Sequence, residues 1–216
     1  MREVRAGSDL AVVAAEVLAD ALAARLRDQP RASLAVSGGR TPWPVFRRLA
    51  DAAIDWTRLD IYQVDERIAS PGDPARNLTG LADTLLDHVE VSVLAMPVEA
   101  QDLDAAAARY AAELPTAIDV VHLGLGDDGH TASLVPGDPV LDVADRRVAL
   151  TQPHKGHRRM TLTFPALNAA CSIIWIVSVD GKASALRKMR DGDPSIPAGR
   201  VAQTHAVLIT DETDGS

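Results

Sequence analysis

The chain has one cysteine, Cys171, in 216 residues. That excludes an intrachain disulfide framework and argues against a metal–thiolate cluster. The residue lies in the apolar run AACSIIWIVSV and reads as a buried, inert thiol. Basic charge is also scarce: 22 Lys and Arg face 30 Asp and Glu, a formal net charge of −8. A broad nucleic-acid footprint needs the opposite balance, so the basic residues must work singly. No apolar run approaches the ~20 residues of a membrane span. The apolar N-terminal stretch SDLAVVAAEVLADALAARLRD is interrupted by Asp9, Glu16 and Asp20 at helical spacing, and no cleavage site follows it. It reads as an amphipathic helix of a soluble, cytoplasmic protein. Internal repeats, low-complexity segments and linkers are missing too, so residues 1–216 read as one domain. The polar tail TDETDGS is expected to fray.

What is present is an alternation of apolar runs and helical patterns. Strand candidates are ASLAVSGG, RLDIYQVDE, SVLAMPV, AIDVVHLGLG, RRVALT, RMTLTF, CSIIWIVSV and THAVLIT. Between them fall helical segments from about Pro42, over GLADTLLDHV, over DLDAAAARYAAEL, and from Gly181 to about Arg190. Such alternation indicates βαβ units, hence an α/β fold with a mostly parallel, Rossmann-like sheet and helices on both faces. Ligands of these sheets bind beyond the carboxyl ends of the strands. Three stretches therefore deserve a search: SGGRTP, DERIAS and GLGDDGHTASL.

In SGGRTPW, Thr41 is a favoured N-cap and Pro42 a favoured first helical residue. The turn should present the free N–H groups of a helix start, which attract phosphate; a tight turn with no ligand is the alternative. A Walker loop is excluded, since no Gly-Lys-Ser/Thr follows at the required spacing. In GLGDDGHTASLVP the glycines Gly124, Gly126 and Gly129 match G-x-G-x-x-G formally. The dinucleotide fingerprint needs a long helix after the third glycine, whereas Pro136 comes seven residues later and two acids would face the pyrophosphate. The remaining reading is a turn that presents His130, with Asp128 as orienter of a general base. A histidine that merely caps the next turn stays open as the alternative.

Other candidates are weaker. DER after a strand is either a solvated loop or a place where Arg67 holds an anion. Arg159 opens the strand candidate RMTLTF and Lys182 follows the strand in SIIWIVSVDG; each could reach a phosphate, with solvent exposure the default. His122 lies inside an apolar strand and reads as a core residue. His154 and His157 in PHKGHRR could bind a metal or form a solvated basic loop.

Taken together, AVSGGRTP, VDERIAS with RNLTGL, HLGLGDDGHTASLVPG, RRMTLTFPALNAA and VDGKASALR resemble, in order and across nearly the whole chain, the 6-phosphogluconolactonases, relatives of the glucosamine-6-phosphate deaminases. The resemblance implies metal-independent, cofactor-free hydrolysis of 6-phospho-D-glucono-1,5-lactone in the pentose phosphate pathway by a monomer or homodimer. On this analogy His130 activates water, Asp128 supports it, and Arg67 lies beside the lactone. Gly38, Gly39, Thr41, Arg159 and Lys182 hold the phosphate, while Asp65 and Asn77 shape the pocket. Arg76 stands where many relatives carry a small Ser, and the terminus is shorter and less aromatic than usual.

Two rivals follow from the same resemblance. The deaminase branch usually reads Asp-Glu-Tyr in place of DER and carries an acid soon after the histidine, whereas HTASLVP has none before Asp138. A sugar-phosphate sensor would usually add a helix-turn-helix segment, and only one helix precedes the first strand candidate.

Overall fold

The structure is a computed structural model that describes residues 1–213. Its strands are β1 (Arg2–Arg5), β2 (Ala32–Val36), β3 (Leu59–Gln63), β4 (Asp65–Arg67), β5 (Ser92–Leu94), β6 (Val120–Leu123), β7 (Val148–Leu150), β8 (Arg159–Leu162), β9 (Ile173–Val177) and β10 (Ala206–Thr210). The helices are α1 (Leu10–Asp28), α2 (Pro42–Ala50), α3 (Asn77–Thr84), α4 (Leu103–Glu113), α5 (Phe164–Asn168) and α6 (Ala183–Arg190). Ala- and Leu-rich α1 buries Ala14, Ala15, Leu18, Leu22 and Leu26, a stripe at helical spacing. It ends at Gln29 and Pro30, where the proline cannot continue the helix.

Seven strands form one sheet in the order β1-β10-β9-β6-β2-β3-β5, and every pairing in it is parallel. After β2 the chain builds outward through β3 and β5, then returns to place β6 on the other side of β2. The switch point of the sheet is thus the β2/β6 boundary, where a crevice opens beyond the carboxyl ends. Alternate residues of one strand feed two cores. Ile174 and Ile176 pack with α1 and α2 residues such as Leu18 and Phe46; Ile173, Trp175 and Val177 pack with Tyr110 of α4 and Leu186 of α6. Burial on both faces explains the continuous apolar runs of β2 and β9.

Several elements depart from the sequence pattern. RLDIYQVDE is two strands rather than one. Val64 is the branch point: its N–H donates to Val36 O at 2.9 Å in the large sheet, while its carbonyl accepts from Leu162 N at 2.8 Å. From there β4 enters a second, antiparallel sheet, β4-β8-β7. β1 was not anticipated, because REVR is a mostly exposed edge strand without apolar alternation. α3 begins at Asn77, before the expected GLADTLLDHV, and its pattern gives way to a 3-10 turn at Leu86–His88. RMTLTF stops as a strand at Leu162, since α5 starts at Phe164 with Pro165 in its first turn. Of the tail, Thr210 is held in β10, and Glu212 is paired with Arg190. Residues 214–216 lie outside the described residues, so the expectation of fraying there has no structural counterpart.

Candidate active site

A polar cleft of about 110 Å³ opens at the switch point, lined by Ser37, Gly38, Asp65, Arg67, Asn77, Gly124, Leu125, Gly126, His130, Ala132 and Arg159. The turn after β6 builds its base. Gly126 N donates to His130 O at 2.8 Å, and Gly129 N to Gly126 O at 3.1 Å, which closes the loop with Gly129 at φ 85°. Asp128 Oδ1 then accepts twice from the same residue, from the His130 backbone N–H at 3.0 Å and at ring Nδ1 at 2.5 Å. A carboxylate accepts only, so this bond assigns the proton to Nδ1 and leaves the Nε2 lone pair available. Partial burial pushes the Asp128 carboxyl up, but the His130 hydrogen bonds outweigh it and hold it below the ordinary carboxylate range. A Cβ on Gly126 would sit 2.1 Å from His130 Nδ1, so the ring's place depends on that glycine. No helix follows Gly129 before Pro139, as the early proline requires.

The opposite wall comes from β4 and β8. Arg67 and Arg159 are paired across these strands and both line the cleft. Arg67 Nη1 donates to Asn77 Oδ1 at 3.1 Å and to the Ala75 carbonyl. Asp65 accepts from Ser133 Oγ at 2.5 Å and from Asn77 Nδ2 at 3.1 Å. Burial pushes the Asp65 carboxyl up, against the Ser133 hydrogen bond and the charges of Arg159 and Arg67. For Arg159 burial is again the largest influence and lowers its pKa, with Asp65 opposing. Asn77 is positioned by Glu66, fully buried, whose carboxylate accepts from Asn77 N at 2.7 Å, Leu78 N at 2.8 Å, Arg67 N at 2.7 Å and Gln63 Nε2 at 2.8 Å. Glu66 therefore caps α3 from β4, a contact between residues too far apart in sequence to show as a capping box. The departure at Arg76 has a structural partner as well: buried Arg76 pairs with Glu99 and approaches Glu66 at 3.5 Å.

A second cavity of about 460 Å³ adjoins the other side of the β2 turn, lined by Ser8, Leu10, Ala11, Arg40, Thr41, Pro44, Ser178, Asp180 and Lys182. Lys182 and Thr41 thus face one cavity and Arg159 the other, so the three do not line one common cavity. Lys182 is placed by the loop after β9, which Asp211 anchors by accepting from Ser178 Oγ at 2.5 Å and Val179 N at 2.8 Å. Burial pulls the Lys182 ammonium below its ordinary value; the carboxylate of Asp211 opposes and the charge of Arg40 adds to it. Arg40, which the sequence reading passed over, closes no ion pair among the described residues. Thr41 needs a correction. It occupies the expected N-cap position ahead of Pro42, but its backbone is already helical and its hydroxyl makes no capping bond. Pro42 and Pro44 both lack N–H groups, so a bond to the third helical residue is impossible and α2 presents fewer free donors than the pattern suggests. Gly38 approaches Asn77 so closely that a Cβ would lie 2.2 Å from its Oδ1, and Gly39 makes the turn at φ 135°.

The remaining histidines separate. His122 is buried, accepts from Ser37 N at 3.3 Å and stacks edge-on against Phe46; burial drops its pKa to about 3. His154 belongs to the hairpin between β7 and β8, which carries it beside His130. Asp127, Asp128 and His130 put ligand-type atoms within 4.8 Å of one another. The two acids are exposed and His130 Nδ1 is engaged by Asp128, which describes a supported base better than a metal cage.

Fold and cleft together define a Rossmann-like α/β enzyme with its site at the sheet's switch point. Comparison with known proteins refines that class. Residues 5–210 match the family described as glucosamine-6-phosphate isomerases/6-phosphogluconolactonase, and the chain belongs to this family. A 6-phosphogluconolactonase of Synechocystis sp. is 34% identical over 199 residues, with 85% of this chain and 82% of the relative covered. The crystal structure of a 6-phosphogluconolactonase from Thermotoga maritima superposes with a TM-score of 0.89 at 23% identity, covering 97% of this chain and 98% of that one. A monomeric glucosamine-6-phosphate deaminase superposes at 0.84 with 20% identity, covering 97% of each chain. Both branches of the family thus share the fold, and the side chains must distinguish them.

Proposed function

We infer that the chain is a 6-phosphogluconolactonase that hydrolyses 6-phospho-D-glucono-1,5-lactone to 6-phosphogluconate in the pentose phosphate pathway, as a single domain over residues 1–216. The observation that carries the reading is one cleft in which the Asp128–His130 pair faces Arg67 and Arg159. His130 Nε2 takes a proton from water as the water adds to the lactone carbonyl, and Asp128 stabilises the imidazolium that forms. The arginines stabilise the developing oxyanion, and general-base assistance alone typically gives ~10²–10⁴-fold. Breaking the ring C–O bond returns the proton to the departing ring oxygen. A lactone is an activated ester, so the side chains present suffice for this route.

The phosphate lies in the second cavity, between Arg40 and Lys182 and against the Gly38–Thr41 turn. Neither cation closes an ion pair among the described residues, so a phosphate there would gain charge-assisted contacts from both, although Asp211 acts on Lys182 more strongly than Arg40 does. The first cleft alone is small for a phosphorylated sugar, whereas the second already lies within the ~300–1,000 Å³ usual for ligand sites. Holding the distant phosphate orients the carbonyl toward the water.

Deamination finds less support. Asp138, the first acid after His130, is occupied as a structural acceptor, taking Val140 N at 2.9 Å and Gln152 N at 2.9 Å. Ammonia release from glucosamine 6-phosphate is expected to be absent. The reading carries with it a cytoplasmic location and a monomer or homodimer. No helix among the described residues is long and apolar enough to cross a membrane. The deciding assay generates the lactone in situ and follows its disappearance with the purified protein and with His130→Ala. Acceleration by the first and not by the second is expected; decay at the spontaneous rate with the wild-type protein overturns the assignment.

A further inference from the structure

The β7–β8 hairpin brings a second imidazole to the base. His154 and His157 exchange backbone hydrogen bonds at 2.9 and 3.2 Å across a turn in which Lys155 and Gly156 take φ of 49° and 87°. The root of the hairpin is tied to the cleft: Thr151 N donates to Arg159 O at 2.9 Å, and Arg159 N donates to the Thr151 hydroxyl at 3.1 Å. The His154 ring consequently lies 6.1 Å from the His130 ring, centroid to centroid, at an interplanar angle of 59°. Its Nε2 is buried with no hydrogen-bond partner in the structure, although the residue as a whole is half-exposed. Burial, then the charges of Arg159 and Lys155 and the His130 ring, disfavour its protonation, and Asp128 opposes them. The outcome is an imidazole beside the base that favours its neutral form and keeps a buried, uncommitted Nε2.

The lactonase reading supplies a task for it. Lactone and water give a hydroxyl and a carboxylic acid, and the acid ionises, so each turnover releases one proton. His130 has by then returned its first proton to the ring oxygen, so the product acid beside Nε2 gives its own proton to the ring, whose Nδ1 side is held by Asp128. We propose that His154 is a positioning residue for proton exit: it accepts the proton from the His130 imidazolium, directly or across one water, and delivers it to solvent buffer. His130 returns to the neutral form and His154 is neutral again once the buffer base has taken the proton. This rests on the lactonase reading and adds a step to it.

The test compares wild type with His154→Gln and His154→Ala in dilute and in concentrated imidazole buffer. The expected result is a severalfold lower kcat for both variants in dilute buffer, kcat/KM nearly unchanged, and restoration by imidazole, which replaces the missing ring. Wild type should be insensitive to buffer concentration. An unchanged kcat in dilute buffer overturns the relay, and so does a loss that imidazole does not restore, because that is the behaviour of a merely structural residue. A wild-type protein without lactonase turnover overturns the underlying reading and the relay with it.

Discussion

One oxygen of Asp128 holds His130 at two points, the backbone N–H at 3.0 Å and ring Nδ1 at 2.5 Å. The acid thereby fixes both where the ring sits and which nitrogen is free. Asp128→Asn would place an amide at the same position, free to donate to Nδ1 and reverse the tautomer. We expect kcat to fall by about 10²-fold or more with KM little changed, since the loss concerns the base rather than binding. Steady-state kinetics with in-situ lactone check this; an Asn variant of normal kcat would show that the carboxylate is dispensable.

Gly126→Ala separates fold from function. Its Cβ would meet His130 Nδ1 at 2.1 Å and Asp128 Oδ1 at 2.8 Å, both side-chain atoms that can swing away. The prediction is a protein that melts within a few degrees of wild type and loses most of its activity. A large drop in melting temperature would instead place the cost in the backbone.

At the other end of the ligand, Arg40→Gln and Lys182→Ala should raise KM for the phosphorylated lactone more than they lower kcat. Each removes a charge-assisted contact of about 1.5–3 kcal/mol, hence about 10–150-fold in kcat/KM. Hydrolysis of unphosphorylated gluconolactone is the control. Equal losses on both substrates would move the phosphate out of the Arg40–Lys182 cavity.

Acid should weaken the fold through His122. Its pKa is about 6.5 unfolded and about 3 folded, so the unfolded chain binds the extra proton between these values. Stability contributed by the neutral ring is complete above pH 6.5 and is lost as pH falls toward 3, about 3 kcal/mol by pH 4. Denaturant titrations at pH 7 and pH 4 should show a smaller drop for His122→Asn than for wild type. Parallel drops would assign the acid sensitivity elsewhere.

The alternation of apolar runs made the parallel sheet legible, and its strand ends directed attention to Gly38, Arg67 and His130. What local pattern could not carry was the departure at Val64, because a strand that changes sheets in one residue keeps the same apolar alternation. Glu66 was hidden for a related reason: its partners Asn77 and Leu78 lie across the fold, so a buried carboxylate read as one charge in a solvated triplet. Arg40 and His154 were passed over or left ambiguous since only the folded turn and hairpin give them neighbours. Thr41 went the other way. It holds the N-cap position its context announced, yet its hydroxyl makes no capping bond.

The cross-strand placement of Arg67 opposite Arg159 has a thermodynamic side. Burial of the Arg159 guanidinium, with Arg67 facing it, opposes folding; Asp65 outweighs the repulsion from Arg67 but offsets the burial only in part. Part of the protein's conformational stability has been traded for a site that is tense until negative charge enters it. The ligand-free enzyme is therefore the weaker structure, and 6-phosphogluconate should raise its melting temperature, with a smaller gain in Arg67→Gln. Such a protein would be protected from heat and proteolysis by its own metabolic traffic, and its lifetime in a cell would follow the supply of what it works on.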